Sequence, residues 1–199
     1  MGPCAGGAAY SPAITDFIFM VNGTSNMFLT GPQVIKEVTG ENVDKESLGG
    51  ARVHTQTSGV AHFAAVDDYD CIDQIKTLLS FLPQNASEKP PVYQVSDDPA
   101  RVCPELNDII PDSLRKAFEI RDVIHSITDD HFFFEVMKDW ATNVVIGFGR
   151  MAGRSVGFIA NQPRSKGGCM DMDASDKAAR FVRFCDAFEI GRASCRERV

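Results

Sequence analysis

A proline-punctuated stretch in the middle of the chain limits the fold more than any other feature. Residues 84–92 read QNASEKPPV, and further prolines stand at positions 99, 104 and 111. Proline removes a backbone donor and biases the preceding residue away from the helix. Polar residues with a Pro-Pro pair have linker composition, so a domain boundary is expected here. The 199 residues suit one domain or two small ones.

Before the break, short elements alternate. Asp16 to Val21 (DFIFMV) and Asn26 to Thr30 read as strands. Gly31-Pro32 opens a helix through Val34, Ile35 and Val38, and Gly40 ends it. Val60 to Val66 is a strand candidate. Asp67 then caps a helix whose Cys71, Ile72, Ile75, Leu78, Leu79 and Leu82 share one face, with Pro83 as the stop. After the break come a helix near Ile120 to Thr128, an apolar strand from Phe132 to Met137, and a hairpin. The hairpin joins Asn143–Arg150 to Ser155–Asn161 around Met151-Ala-Gly-Arg154. A helix from about Ala174 is expected to bury Ala178, Phe181, Val182, Cys185 and Phe188. Mixed strands and helices in this order give an α/β class.

Charge and cysteine usage remove several functions. Twenty Lys and Arg against 27 Asp and Glu leave a net charge of −7, so nucleic acid is not the expected partner. No run of apolar residues is long enough for a membrane span, and no secretory leader is visible. Six cysteines are scattered without a CxxC pair or zinc-finger spacing, which points to reduced thiols in a cytosol-like compartment and no metal site.

Side-chain chemistry is sparse. His54 and His62 are eight apart, too far to ligate from one helix turn, and read as structural histidines. Asp67, Asp68 and Asp70 stand where a helix begins, as caps and partners of its dipole. No GxSxG elbow and no Walker loop occurs. One feature remains, Gly6-Gly7 within GPCAGGAAY. Without β-carbons, adjacent amides can approach a ligand closely, and at a helix start they could hold the oxyanion of an enolate formed from a thioester. Tight packing of a strand-to-helix turn is the competing reading.

Residue identity then carries more than spacing. The string MGPCAGGAAYSPAITDFIFMV closely resembles the carboxyltransferase (β) subunit of biotin-dependent acyl-CoA carboxylases, of the propionyl-CoA carboxylase β chain and methylmalonyl-CoA decarboxylase α subunit type. The likeness continues through Met27 to Lys36, Leu48 to Ala51, Ser58 to His62, NVVIGFGR from Asn143, VGFIANQP from Val156, and ASDKAARFVRFCDAF up to Phe188. It implies a crotonase-like spiral of β-β-α units, with parts of two homologous domains. Residues 1–86 correspond to the later part of the first domain, 87–111 to a linker and the start of the second, and 112–188 to the early part of the second. It further implies a homohexamer, an acyl-CoA substrate, and carboxybiotin delivered by the carrier of a biotin carboxylase/biotin carboxyl carrier partner. The biotin ureido nitrogen would take the α-proton, and backbone oxyanion holes would stabilise the enolate. Gly6 and Gly7 match the hole of the first domain. Location would be cytoplasmic, or the mitochondrial matrix in a eukaryote.

The likeness stops after Phe188. Family chains are well over twice this length, begin upstream of Met1, and continue past this point to a second oxyanion hole. The chain is thus expected to be an internal piece without activity by itself. Residues 189–199 (EIGRASCRERV) are basic and not strand-like. They can be encoded by a common short-read library adapter, so a translated adapter tail is expected.

Overall fold

The computed structural model describes residues 1–85, 87–111, 113 and 116–195. Residues 86 and 112, two of the expected domain limits, and the end of the tail at 196–199 lie outside them. By internal contacts the chain divides into two compact units, Met1–Lys76 and Thr77–Val199.

In the first unit, strands β1 (Pro3–Ala5), β2 (Phe19–Val21), β3 (Asn26–Phe28) and β4 (Phe63–Ala65) pair as β1·β3 and β2·β4, both parallel. Neighbours in sequence therefore go to different sheets, and helical segments make the returns. These are α1 (Tyr10–Ala13), α2 (Pro32–Thr39), α3 (Lys45–Gly49), α4 (Ala51–Gln56) and α5 (Asp68–Leu79). Gly40 closes α2 at φ +77°, where its N–H donates to Lys36 O. The helices α3 and α4 are not evident from periodicity. Asp44 caps α3 by accepting from Ser47 N–H, and Gly49 lies so near β3 that a Cβ would stand 2.2 Å from Met27 O. Ala9, Ile18, Met20, Met27, Ala51 and Ala61 form the core.

The second unit is built on a four-stranded sheet in the order β5-β6-β7-β8, with β5 (Phe133–Val136), β6 (Val144–Met151), β7 (Arg154–Asn161) and β8 (Gly191–Cys195). Its described helices are α6 (Leu106–Ile109), α7 (Ile120–Ile127) and α8 (Met172–Ala187). The β6–β7 hairpin turns at Ala152 and Gly153, both at positive φ, as a tight hairpin requires. Asp129 holds that turn by accepting from both amides, at 3.0 and 2.7 Å. Alternation along the strands divides the core. One face carries Val145, Phe158 and Ala160 against Ile120 and Ile124 of α7. On the other, Phe148 meets Phe181 of α8 and Phe81 at 5.0 and 5.6 Å between ring centroids.

Three expectations are corrected. Residues 191–195 do form a strand, β8, parallel to β7. Ala193 and Cys195 sit in register with Phe158 and Ala160 and join their core, while pairing itself uses only backbone groups. The buried face of α8 is Ala174, Lys177, Phe181, Phe184 and Cys185, with Val182 outside. The helix before Pro83 ends at Leu79, with Ile72 and Leu79 exposed, and the ring carried into the core is Phe81.

The N-cap of α8 gives a pH prediction. Asp171 accepts from Lys166 Nζ, from Ala174 N–H at 3.0 Å and from Asn143 Nδ2 at 3.3 Å. These bonds, Lys166 first, hold its carboxyl at about 2 against an ordinary 3.8. A depressed carboxyl contributes stability fully above its unfolded value and loses it as the pH falls through the folded one. Asp171→Asn, which keeps a capping oxygen, is expected to lose less stability than the parent between pH about 4 and about 2. Acid titration of the unfolding free energy checks this, and parallel curves would contradict it.

Candidate active site

The glycine pair sits at the end of β1. Ala5 is extended (φ −125°, ψ 151°), and Gly6 turns the chain at φ +62° into a 3-10 turn, Gly6–Ala9, that continues into α1. That left-handed φ is what calls for glycine at position 6. Tyr10 N–H donates to Gly7 O. The leading N–H groups of a helical run have no acceptor inside it, and here they belong to Gly6, Gly7 and Ala8. A Cβ on Gly7 would meet no atom within 4 Å, and one on Gly6 would meet only Leu29 O, at 3.9 Å. Packing therefore gives no reason for glycine at position 7. Below the turn, buried Ala9 belongs to the first unit's core, Cys4 packs against that core, and the Cys4 thiol donates to Ala8 O at 3.2 Å. The result is a turn seated on core-packed residues, with Gly7 exposed and Gly6 half-buried.

The other candidates are each engaged in hydrogen bonds of their own. His54 bonds Met27 O through Nε2 at 2.6 Å and Ser58 Oγ through Nδ1 at 2.8 Å. His62 is buried, accepts Ile18 N–H on Nδ1 at 3.1 Å and lies edge-on to Phe17. Asp67 accepts from Asp70 N–H at 2.8 Å, and Asp70 accepts from Val66 N–H at 2.8 Å, which caps α5 from both sides. Among the described residues no three His, Cys, Asp or Glu side chains are grouped to hold a metal ion.

The polar core of the second unit is not evident from the sequence pattern. Arg121 grips Glu135 with Nε at 2.7 Å and Nη2 at 2.6 Å and also reaches Glu119 at 3.0 Å. Burial pushes the Glu119 carboxyl up, but hydrogen bonds from Gln162 and Arg121 outweigh it and leave the group below its ordinary value. Lys177 is 2% exposed and donates to Met137 O, Trp140 O and Ala141 O at 2.9, 2.7 and 3.3 Å. The signal for Lys177 is present, because position 177 falls between Ala174 and Phe181 on the buried stripe.

Comparison with known proteins agrees with this architecture. The carboxyl transferase domain family matches residues 1–191. The propionyl-CoA carboxylase carboxyltransferase subunit of Haloferax mediterranei is 57% identical over 190 residues, covering 96% of this chain and 37% of that protein. Methylmalonyl-CoA decarboxylase subunit alpha of Veillonella parvula is 55% identical over the same shares. Transcarboxylase 12S, whose structure describes a hexamer assembly with hydrolyzed methylmalonyl-coenzyme A bound, matches with a TM-score of 0.92 at 48% identity. That match covers 100% of this chain and 39% of the other. The chain thus spans well under half the length of these relatives, and its α/β fold is the crotonase-like one. It belongs to the carboxyl transferase domain family.

Proposed function

We propose that the subunit carrying this segment transfers a carboxyl group from carboxybiotin to the α-carbon of a short-chain acyl-CoA, converting propionyl-CoA to methylmalonyl-CoA. The observation that carries this reading is the glycine pair, with open space over Gly7 and leading amides on a packed floor. The Gly6 and Gly7 N–H groups donate to the thioester carbonyl oxygen, which becomes an oxyanion as the α-proton leaves. Fixed between β1 and the turn, they need no reorganisation when that charge develops. The absence of a Cβ at either position lets a planar thioester lie against the backbone. Cys4, the thiol beside the pair, is engaged with Ala8 O. Carboxybiotin, delivered by a biotin carboxylase/biotin carboxyl carrier partner, supplies the carboxyl group and accepts the α-proton. The open face over Gly7 fits approach of such a flat group.

A second reading runs the same site in reverse, as the carboxyltransferase subunit of a methylmalonyl-CoA decarboxylase, and the Veillonella relative supports it. A homohexamer is proposed from the transcarboxylase 12S assembly. A cytoplasmic location, or the mitochondrial matrix in a eukaryote, is consistent with mitochondrial relatives such as the human β chain, 50% identical. No helix among the described residues is long and apolar enough to cross a membrane. The tail from about Glu189, its first one or two positions left open, is proposed to be adapter-derived, and the family match, which runs to residue 191, leaves residues 192–199 outside the family. A genomic read continuing through GRASCRERV into native coding sequence would contradict that.

The test is carboxyl transfer by the complete subunit supplied with carboxylated carrier. Labelled methylmalonyl-CoA is expected from propionyl-CoA. No transfer to any short-chain acyl-CoA would overturn the reading. Neighbouring genes separate the two directions: a biotin carboxylase favours the first, membrane decarboxylase subunits the second.

A further inference from the structure

We infer that Arg150 is a clasp that closes the segment 82–92 into a loop by gripping both of its ends. Arg150 lies near the end of β6, beside the hairpin turn that Asp129 holds. Its guanidinium is stacked between two rings, 4.2 Å from the centroid of Phe81 and 4.3 Å from that of Tyr93. Nη2 also donates to Ser80 O at 3.1 Å and Ser80 Oγ at 2.8 Å. Ser80 and Phe81 precede the segment, and Tyr93 is the first residue after it, so a single cation joins the two.

The second end has further hold on the sheet. Tyr93 N–H donates to Gly153 O at 2.9 Å. Gly153 approaches so closely that a Cβ on it would lie 1.9 Å from Tyr93 O. Between the clasped ends, the described residues contain no helix or strand and are mostly exposed. Order in such a loop must come from its base.

The guanidinium's position is decided by this grip and not by its own strand pair. Ser155 lies opposite Arg150 in the β6·β7 register, yet Ser155 Oγ and Arg150 Nε are both buried without a hydrogen-bond partner. Two buried polar atoms left unpaired are unfavourable, so the stacks and the Ser80 bonds outweigh that loss. A planar cation is needed, because an ammonium cannot present two flat faces and a donor edge together.

Hydrogen exchange read by mass spectrometry on the full chain tests the clasp. Arg150→Lys is expected to speed exchange over residues 80–94 by about tenfold or more, with residues 144–149 and 156–161 changed by less than about twofold. Tyr93→Leu makes the same test at a side chain that is 44% exposed, so it opens the loop without emptying the core. Unchanged exchange over 80–94 in Tyr93→Leu would overturn the inference. So would exchange rising equally through the sheet in that variant.

Discussion

Gly7→Ala in the complete subunit is expected to leave folding intact and to lower the rate of carboxyl transfer by about 10² to 10³. The folding half rests on space, since the added methyl would meet no atom of the chain within 4 Å. Its melting temperature should therefore match that of the parent. The catalytic half rests on what would occupy that space. The enolate oxygen has to approach the Gly7 amide more closely than the neutral thioester does, at the place where the methyl would stand, and loss of one oxyanion contact typically has this magnitude. Gly6→Ala is a poorer probe, because φ +62° would strain any other residue and mix folding with catalysis. A Gly7→Ala protein with full activity would remove the pair from the mechanism.

Lys177→Met is the second large effect, and it falls on stability. The ammonium gathers three carbonyls of the turn between β5 and β6, where Met137 and Ala141 stand at φ +53° and +44°. Left-handed residues without glycine persist only where the surroundings enforce them. Methionine keeps the apolar stem but leaves those carbonyls unpaired, at about 1–3 kcal/mol for each one that water cannot reach. A loss of at least about 2 kcal/mol in chemical unfolding is expected. The pH dependence gives an independent mark. Burial pushes Lys177 down to about 8 from 10.5. Between those values the unfolded chain holds the proton and the folded chain does not, so the parent gains stability as pH rises and Lys177→Met does not. The gap between the two proteins should widen over that window. A constant gap would mean that Lys177 is not titrating in the fold.

These cases mark what was legible in the sequence. Gly40, the β6–β7 turn and Gly6 could be read because their backbone geometry selects residue types directly. Strand β8 could not, because a sheet edge pairs with backbone, and Gly191 to Cys195 has only Ala193 and Cys195 to signal burial. The helices α3 and α4 were hidden because glycines that serve packing, Gly49 above all, look like breakers. Lys177 and Arg150 were missed for a common reason. A cation on an apolar face reads as solvated until the carbonyls or rings that surround it are known, and those come from distant parts of the chain. The glycine turn is local, so the residues of the candidate site were visible before the fold was.

The Gly6 and Gly7 amides are proposed to act on the oxyanion and not on the bound substrate as a whole. An acyl-CoA analogue with a nitronate in place of the enolate carries that charge in its ionised form, so the affinity of that form reports the interaction directly. Calorimetric titration of parent and Gly7→Ala subunits with this analogue and with propionyl-CoA is the most direct measurement. The analogue is expected to weaken by about 10²-fold while propionyl-CoA changes by no more than about threefold. Equal weakening of the two ligands, or none of either, would contradict it.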